Sequence, residues 1–278
     1  MARTPEGPPP PPAVQKLRIR YAKRSRLRFT SHRDFQRALE RALRRARVPM
    51  AYSAGFNPHP KVSYANAAPT GAASEAEYLE ISVVERVDPD ALRAALDAAL
   101  PPGLDVVEVV EAAPGALADR LTGGWWELVL PGVAPDEAAA AVAALLARES
   151  IAVERLTKTG RRTLDARSAV VRLGVVERAA VRSDLGRAAE AAGRVCAILH
   201  LVVRHATPAV RPDDVLTALR AVADLAPESP PQVTRLAQGP LDEEDGTVAD
   251  PLAGDQASPA PEPTRAPVET SGGANARA

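Results

Sequence analysis

Cysteine, lysine and aromatic side chains are scarce in this chain, and it has no long apolar run. A single cysteine, Cys196, in 278 residues excludes an internal disulfide and a protein-held iron–sulfur cluster, which takes several thiolates. No cofactor is expected on the chain itself. No stretch approaches the roughly 18 apolar residues of a membrane-spanning helix. The first residues are rich in proline where a secretory signal would place a basic and then an apolar segment. The expectation is a cytoplasmic protein with no membrane partner.

The formal charge of zero hides an uneven distribution. Residues 14–66 carry fourteen Lys and Arg against only Asp34 and Glu40, whereas beyond residue 66 twenty Lys and Arg face thirty-two Asp and Glu. Seven of the nine aromatics fall between Tyr21 and Tyr78, inside or beside the basic stretch. Such a patch attracts phosphate, because counterions released from a nucleic acid favour binding whatever its sequence. Surface charge also serves solvation alone, so both readings stay open at this point.

The proline run Pro8–Pro12 and the Pro-, Ala-, Gly- and acid-rich stretch after residue 238 lack apolar periodicity. Residues 1–13 and 239–278 are therefore expected to be disordered. Within the rest, residues 16–29 alternate apolar and basic side chains at both ends, which predicts a strand with a row of arginines facing water. Ser31 followed by Asp34 is a variant capping box that predicts a helix over 32–47. Phe35, Ala38, Leu39, Ala42, Leu43 and Ala46 share one side of that helix, and Arg33, Arg37, Arg41, Arg44 and Arg45 share the other.

Pro49 ends the helix, and a second strand is expected to start at 50–53 and resume at 62–65 after the loop Gly55 to Lys61. Strands over 76–87 and 104–110 and a helix over 88–100 complete a β-α-β-β-α-β order. The second half repeats it: a strand over 125–130, a helix over 135–148, a hairpin formed by 151–156 and 162–173, a strand over 195–204, a helix over 212–223 and a strand over 232–237. The fold class expected is α+β, with two tandem ferredoxin-like domains at 14–112 and 124–238.

The run Phe29-Thr30-Ser31-His32-Arg33-Asp34, the helix from Arg37 to Arg47 and the segment Pro49-Met50-Ala51-Tyr52-Ser53-Ala54-Gly55-Phe56-Asn57-Pro58-His59-Pro60-Lys61 resemble the signature of a bacterial family. That family comprises radical SAM-linked, or radical SAM-associated, proteins of uncharacterised function. The similarity continues through Gly71 to Leu79 and on to Arg235, with Arg33 where the family more often has Leu and Ala54 where it has Gln. Family members stand alone or form the C-terminal extension of B12-binding-domain radical SAM enzymes, so the resemblance implies partnership with such an enzyme. Free-standing members tend to be encoded near ribonuclease E/G and ribosomal-protein genes, which points to RNA. The duplicated order is also similar to Cas6-type CRISPR RNA endonucleases, an analogy of fold only.

Three functions follow as expectations. The first is a non-catalytic accessory protein that binds structured RNA, tRNA or rRNA, for a radical SAM modifying enzyme. In it Arg37, Arg41, Arg44, Arg45 and Lys61 contact phosphates, and Tyr52, Ser53, Gly55, Phe56, Asn57, Pro58, His59 and Pro60 form a recognition loop. The second is a metal-independent endoribonuclease in which His32 and His59 act as base and acid. The third is a module that docks the enzyme through its arginine face without RNA. His32 capping its helix and His59 ordering its loop is the plainer account of the two histidines, and Phe56 serves either as a base-stacking ring or as core. The loop lacks the Gly-x-x-x-x-Gly-Lys pattern of a triphosphate cradle. Cys196, Ile198 and His200 share a strand face while His205 opposes them, so a metal site is not expected there. Lys158, Arg161, Arg162 and Arg167 form a smaller basic group beside Asp165.

Overall fold

A computed structural model describes residues 10–157, 160–193 and 195–256, so residues 1–9 of the proline-rich start, residues 257–278 of the tail, Lys158, Thr159 and Arg194 lie outside it. Strand β1 (Gln15–Lys23) gives way to a 3-10 turn over Ser25–Phe29 and helix α1 (His32–Arg45). Strands β2 (Val62–Ala65) and β3 (Ala73–Val83), helix α2 (Pro89–Ala99) and strand β4 (Leu104–Glu111) follow. A short helix α3 (Leu117–Arg120) leads to β5 (Gly123–Pro131), α4 (Pro135–Leu146), β6 (Ala152–Thr157), β7 (Gly160–Asp165) and β8 (Val170–Val175). Helix α5 (Asp184–Ala191), β9 (Cys196–Arg204), α6 (Pro212–Ala223), β10 (Gln232–Gly239), β11 (Leu241–Asp242), β12 (Thr247–Val248) and α7 (Ala253–Gln256) complete the described chain.

The architecture is mixed α+β around one eight-stranded sheet of order β4-β1-β3-β10-β5-β9-β8, with β2 paired to the far end of β3. The two halves meet edge to edge: β10 runs parallel to β3 through Thr234–Ala73 and Arg235–Ser74. Helices α1 and α2 pack Phe35, Leu39, Leu43, Leu92 and Leu96 onto Leu17, Ile19, Leu79 and Ile81. Helices α4 and α6 pack Val142, Leu145, Val215 and Leu219 onto Trp126, Leu128, Leu199 and Leu201. The opposite face carries α3 and α7 around Tyr78, Leu117 and Leu252, and α5 beside Val129, Val181 and Ile198. No helix among the described residues is long and apolar enough to cross a membrane.

Five expectations are corrected. The first strand stops at Lys23, because Ser25 takes a positive φ of 48° and the chain coils into the 3-10 turn. Its arginines do not line water: Arg18 is fully buried against Glu80 and Asp255, Arg20 pairs with Glu108, and Arg24, just past the strand, with Glu75 and Asp105. Residues 50–53 form only isolated bridges, at Met50 and Tyr52, and not a strand. The tail is ordered through residue 256, where Leu252 and Asp255 are buried. The hairpin of the second half also differs, since β6 and β7 form their own two-stranded sheet and only β8 joins the main one.

Candidate nucleic-acid interface

Helix α1 begins where Ser31 Oγ accepts the Asp34 N–H at 3.2 Å and donates to the Asp34 carboxylate at 2.7 Å. Its inner face is fixed by aromatic contacts: Phe35 stacks on Tyr21 at 4.4 Å, and Tyr64 of β2 meets Phe35 edge-on at 6.0 Å and the His32 ring at 4.9 Å. Burial, then the nearby Glu40 carboxylate, pushes the Tyr64 hydroxyl up to about 12. The outer face is exposed at Arg33, Arg37, Arg41, Arg44 and Arg45. Arg37 lies 3.7 Å from Asp34, and Arg45 donates to the Ala99 carbonyl at the end of α2 at 2.9 Å. Arg33, Arg41 and Arg44 make no ion pair with another described residue. Exposed Arg26 and half-buried Arg28 precede the helix, and Arg28 lies 4.6 Å over the Phe29 ring, itself 59% exposed.

The loop after α1 is closed at its neck. Tyr52 bridges Pro60, the Ser53 N–H donates to the His59 carbonyl at 2.9 Å, and the His59 N–H donates to Ser53 Oγ at 3.0 Å. Gly55 allows the turn with φ of 135°, in a region that L side chains avoid. Phe56 is 65% exposed, so it stands outside the core, and Asn57, Pro58, His59 and Lys61 are exposed beside it. Among the described residues no hydrogen bond, ion pair or ring contact joins His32, whose Nε2 lies 3.1 Å from Gln36 Nε2, to His59.

Sequence reasoning missed a buried polar cluster where the halves meet. Arg235 of β10 is 4% exposed, donates through Nη1 to the Asn66 carbonyl at 2.7 Å and to Glu77 at 3.2 Å, and lies 4.6 Å over the Trp126 ring. Burial lowers its pKa, with Glu77 opposing. The other Glu77 oxygen accepts the Ala68 N–H at 3.0 Å, and buried Lys23 reaches the carbonyls of Ala68 and Pro69 at 3.4 and 3.3 Å. Burial also lowers the Lys23 pKa. Arg235 Nε and Trp126 Nε1 are buried without an acceptor among the described residues, an arrangement that costs about 1–3 kcal/mol per group. The signal was present in sequence as charges, Lys23, Glu77 and Arg235, at otherwise apolar strand positions.

A cavity of about 470 Å³ opens beside this cluster, lined by Asn66, Thr70, Trp126, His205, Arg211 and Arg235 among others. The loop over it is the 66–72 segment, which also approaches Phe29: a Cβ on Gly71 would sit 3.9 Å from the Phe29 ring. The Gly55–Lys61 loop precedes β2 and the cavity loop follows it, so the two flank opposite ends of that strand. On the other sheet face, His200 Nε2 lies 3.0 Å from the buried Glu127 carboxylate. His200 also lines a second cavity of about 460 Å³ with Trp125, Arg172 and Arg182. His205 Nδ1 instead meets the Leu121 carbonyl at 2.8 Å. Cys196, His200 and His205 do not converge, and no group of three or more metal-ligating side chains occurs among the described residues. In the smaller basic group, Arg161 pairs with Glu154 at 3.2 Å, Arg167 bonds the Val170 carbonyl at 3.0 Å, and Asp165 serves backbone N–H groups.

Fold and surface together define a mixed α+β protein with an exposed arginine face on one helix, on which Arg33, Arg41 and Arg44 make no ion pair among the described residues, and a polar cleft at the sheet junction. Residues 16–212 match a family described as an uncharacterized protein conserved in bacteria, DUF2344, and the chain belongs to that family. The matched region holds α1, the closed loop and most of the cavity wall, and stops before β10 with Arg235. No curated protein matches the chain.

Proposed function

We propose that this protein is a non-catalytic, cytoplasmic RNA-binding accessory of a radical SAM modifying enzyme, built from two βαββαβ units of ferredoxin-like order. Each half contributes strands in the sequence 4-1-3-2, as β4-β1-β3-β2 and β10-β5-β9-β8. The partnership rests on the resemblance of the Phe29 to Lys61 segment. RNA binding rests on one observation: Arg33, Arg41 and Arg44 on α1 stay exposed with no ion pair among the described residues, while Arg18, Arg20 and Arg24 in and beside β1 all have acidic partners. Arginines fixed on one helix face and left without carboxylates suit phosphate oxygens, which each guanidinium meets with paired N–H groups. Arg37, Arg45 and Lys61 extend the surface, and the exposed Phe56 offers a ring to an unstacked base.

The test is fluorescence anisotropy with labelled tRNA and rRNA fragments across a salt series. The Arg41→Glu/Arg44→Glu protein is expected to bind at least tenfold more weakly, with a log–log salt slope shallower by about 2, near 0.9 per lost phosphate contact. Unchanged affinity and slope would remove the reading. Salt-sensitive capture of the radical SAM enzyme by a protein that never binds RNA would move the arginine face to a protein partner.

A further inference from the structure

The geometry points to the cavity between β8, β9 and the β11–β12 hairpin as a binding site for a small organic anion, an apolar ring that carries a phosphate or a carboxylate. The charged group meets Arg172, Arg182 and His200, and the ring lies against Trp125. The site sits on the sheet face opposite α4 and α6; it goes beyond the RNA-binding reading and does not rest on it. Three observations support it. First, the lining contains Arg172, Arg182 and His200 and no carboxylate, so its preference is for an anion. Both arginines are exposed, and neither side chain makes a hydrogen bond or ion pair with another described residue.

Second, these groups are held in place before a ligand arrives. The buried Glu127 carboxylate accepts from His200 Nε2 at 3.0 Å and from the Arg182 N–H at 2.7 Å, so one anion behind the wall sets both positions. With Nε2 engaged, Nδ1 is the ring nitrogen left for a ligand. It has no hydrogen-bond partner among the described residues, it is not cut off from solvent, and the His200 side chain keeps 16% of its surface exposed. Half-buried Trp125 meets the His200 ring edge-on at 5.2 Å. Arg172 is steadied along its stem by Gly246, where a Cβ would lie 3.4 Å from Arg172 Cβ and Cδ. Third, Gly174 stands opposite His200 in the β8–β9 register, and cross-strand neighbours share a sheet face. Its φ lies outside the left-handed region and a Cβ there would meet nothing within 4 Å, so neither the backbone nor the packing calls for glycine. A strand glycine without those reasons marks the close approach of a ligand, and the open space beside Gly174 is this cavity. Its volume of about 460 Å³ is in the ordinary range for small ligands, and Val175, Val176, Val202 and Val248 give it an apolar wall for the ring.

Isothermal titration of the full chain with phenyl phosphate, benzoate, benzyl alcohol and inorganic phosphate tests the site. Phenyl phosphate or benzoate is expected to bind at submillimolar concentration, and the tighter of the two names the charged group. Benzyl alcohol and inorganic phosphate should bind at least tenfold more weakly. The bound anion should change the tryptophan emission of the wild type and leave that of Trp125→Phe unchanged, since the chain's other tryptophan, Trp126, is buried on the far sheet face. The Arg172→Ala/Arg182→Ala protein, altered at two exposed side chains, should bind at least tenfold more weakly with an unchanged Tm. Gly174→Val should lose binding without a lower Tm, because valine suits a strand and enters only the cavity. His200 is left intact, because removing it takes a partner from the buried Glu127 carboxylate. No binding of either aryl anion at millimolar concentration overturns the proposal, and so does benzyl alcohol binding as tightly as the anions. Affinity unchanged in the double arginine variant, or an emission change that persists in Trp125→Phe, overturns it as well. A folded Gly174→Val protein that binds like the wild type puts the anion outside the cavity and has the same consequence; if that variant does not fold, the arginine pair and the Trp125 emission decide.

Discussion

Glu127 shows how much a single buried carboxylate organises. Burial alone would raise its pKa, but hydrogen bonds from His200 and Ser183 and from the N–H groups of Arg182 and Ser183 overcome that and lower it to about 2 from the usual 4.5. The ionised form is thus the one the fold stabilises. Because the folded value lies below the unfolded one, the contribution is complete above about pH 4.5 and is lost as the pH falls towards 2. A Glu127→Gln protein is expected to be less stable than the wild type by about 3 kcal/mol at neutral pH. That gap should narrow between pH 4.5 and 2 as the wild type takes up its proton. Urea titrations at stepped pH measure it, and a gap unchanged down to pH 2 would place the carboxylate's role in packing instead of charge.

At the scale of the element, α5 illustrates what local pattern does not disclose. Its sequence, Asp-Leu-Gly-Arg-Ala-Ala-Glu-Ala, has a glycine in the first turn, and the sequence reading assigns no helix between 174 and 194. Gly186 is there for a long-range reason: a Cβ would lie 2.4 Å from Glu127 Oε1 and 2.6 Å from Val181 Cγ1. Helix propensity alone favours Gly186→Ala by about 1 kcal/mol, whereas the overpacking of a hydrogen-bonded carboxylate costs about 1–3 kcal/mol. The second should win, and thermal unfolding of the variant should show a lower Tm; a higher one would mean that Glu127 yields easily. Helix α1 was legible for the opposite reason, since its Ser31 cap, apolar side and arginine side are all set within sixteen residues. The period-2 pattern of β1 was equally clear and its strand was found. The pattern is silent on whether Arg18 faces water or acids 62 and 237 residues away. The closed Gly55–Lys61 loop was legible from Gly55 and the flanking prolines, while the junction cavity was not, because Asn66, Trp126, His205 and Arg235 meet only through strand order.

The whole molecule is held by a strap that composition made look dispensable. Residues 240–256 carry the polar, Pro- and Gly-containing signature of a tail, yet they cross the sheet face and insert Asp255 beside β1. Its Oδ1 accepts from Arg18 Nη1 at 2.6 Å and from the Ala113 N–H at 2.9 Å, and its Oδ2 from Arg120 Nη1 at 3.0 Å. One side chain therefore ties the first strand, the segment between the halves and α7. Arg18 itself is fully buried, with Glu80 and the Gly115 carbonyl as its other partners, so removing Asp255 strands much of a desolvated guanidinium. Breaking a buried pair from one side costs about 3–5 kcal/mol, whereas replacing both partners by apolar groups of similar volume is often close to neutral. Asp255→Ala is expected to fall in that range by urea unfolding, and Arg18→Met added to it should recover a large part of the loss. Recovery distinguishes a stranded charge from a lost docking contact: if the double variant is no more stable than Asp255→Ala alone, the strap acts through Leu252 and its apolar neighbours, and the ion pair only sets its register.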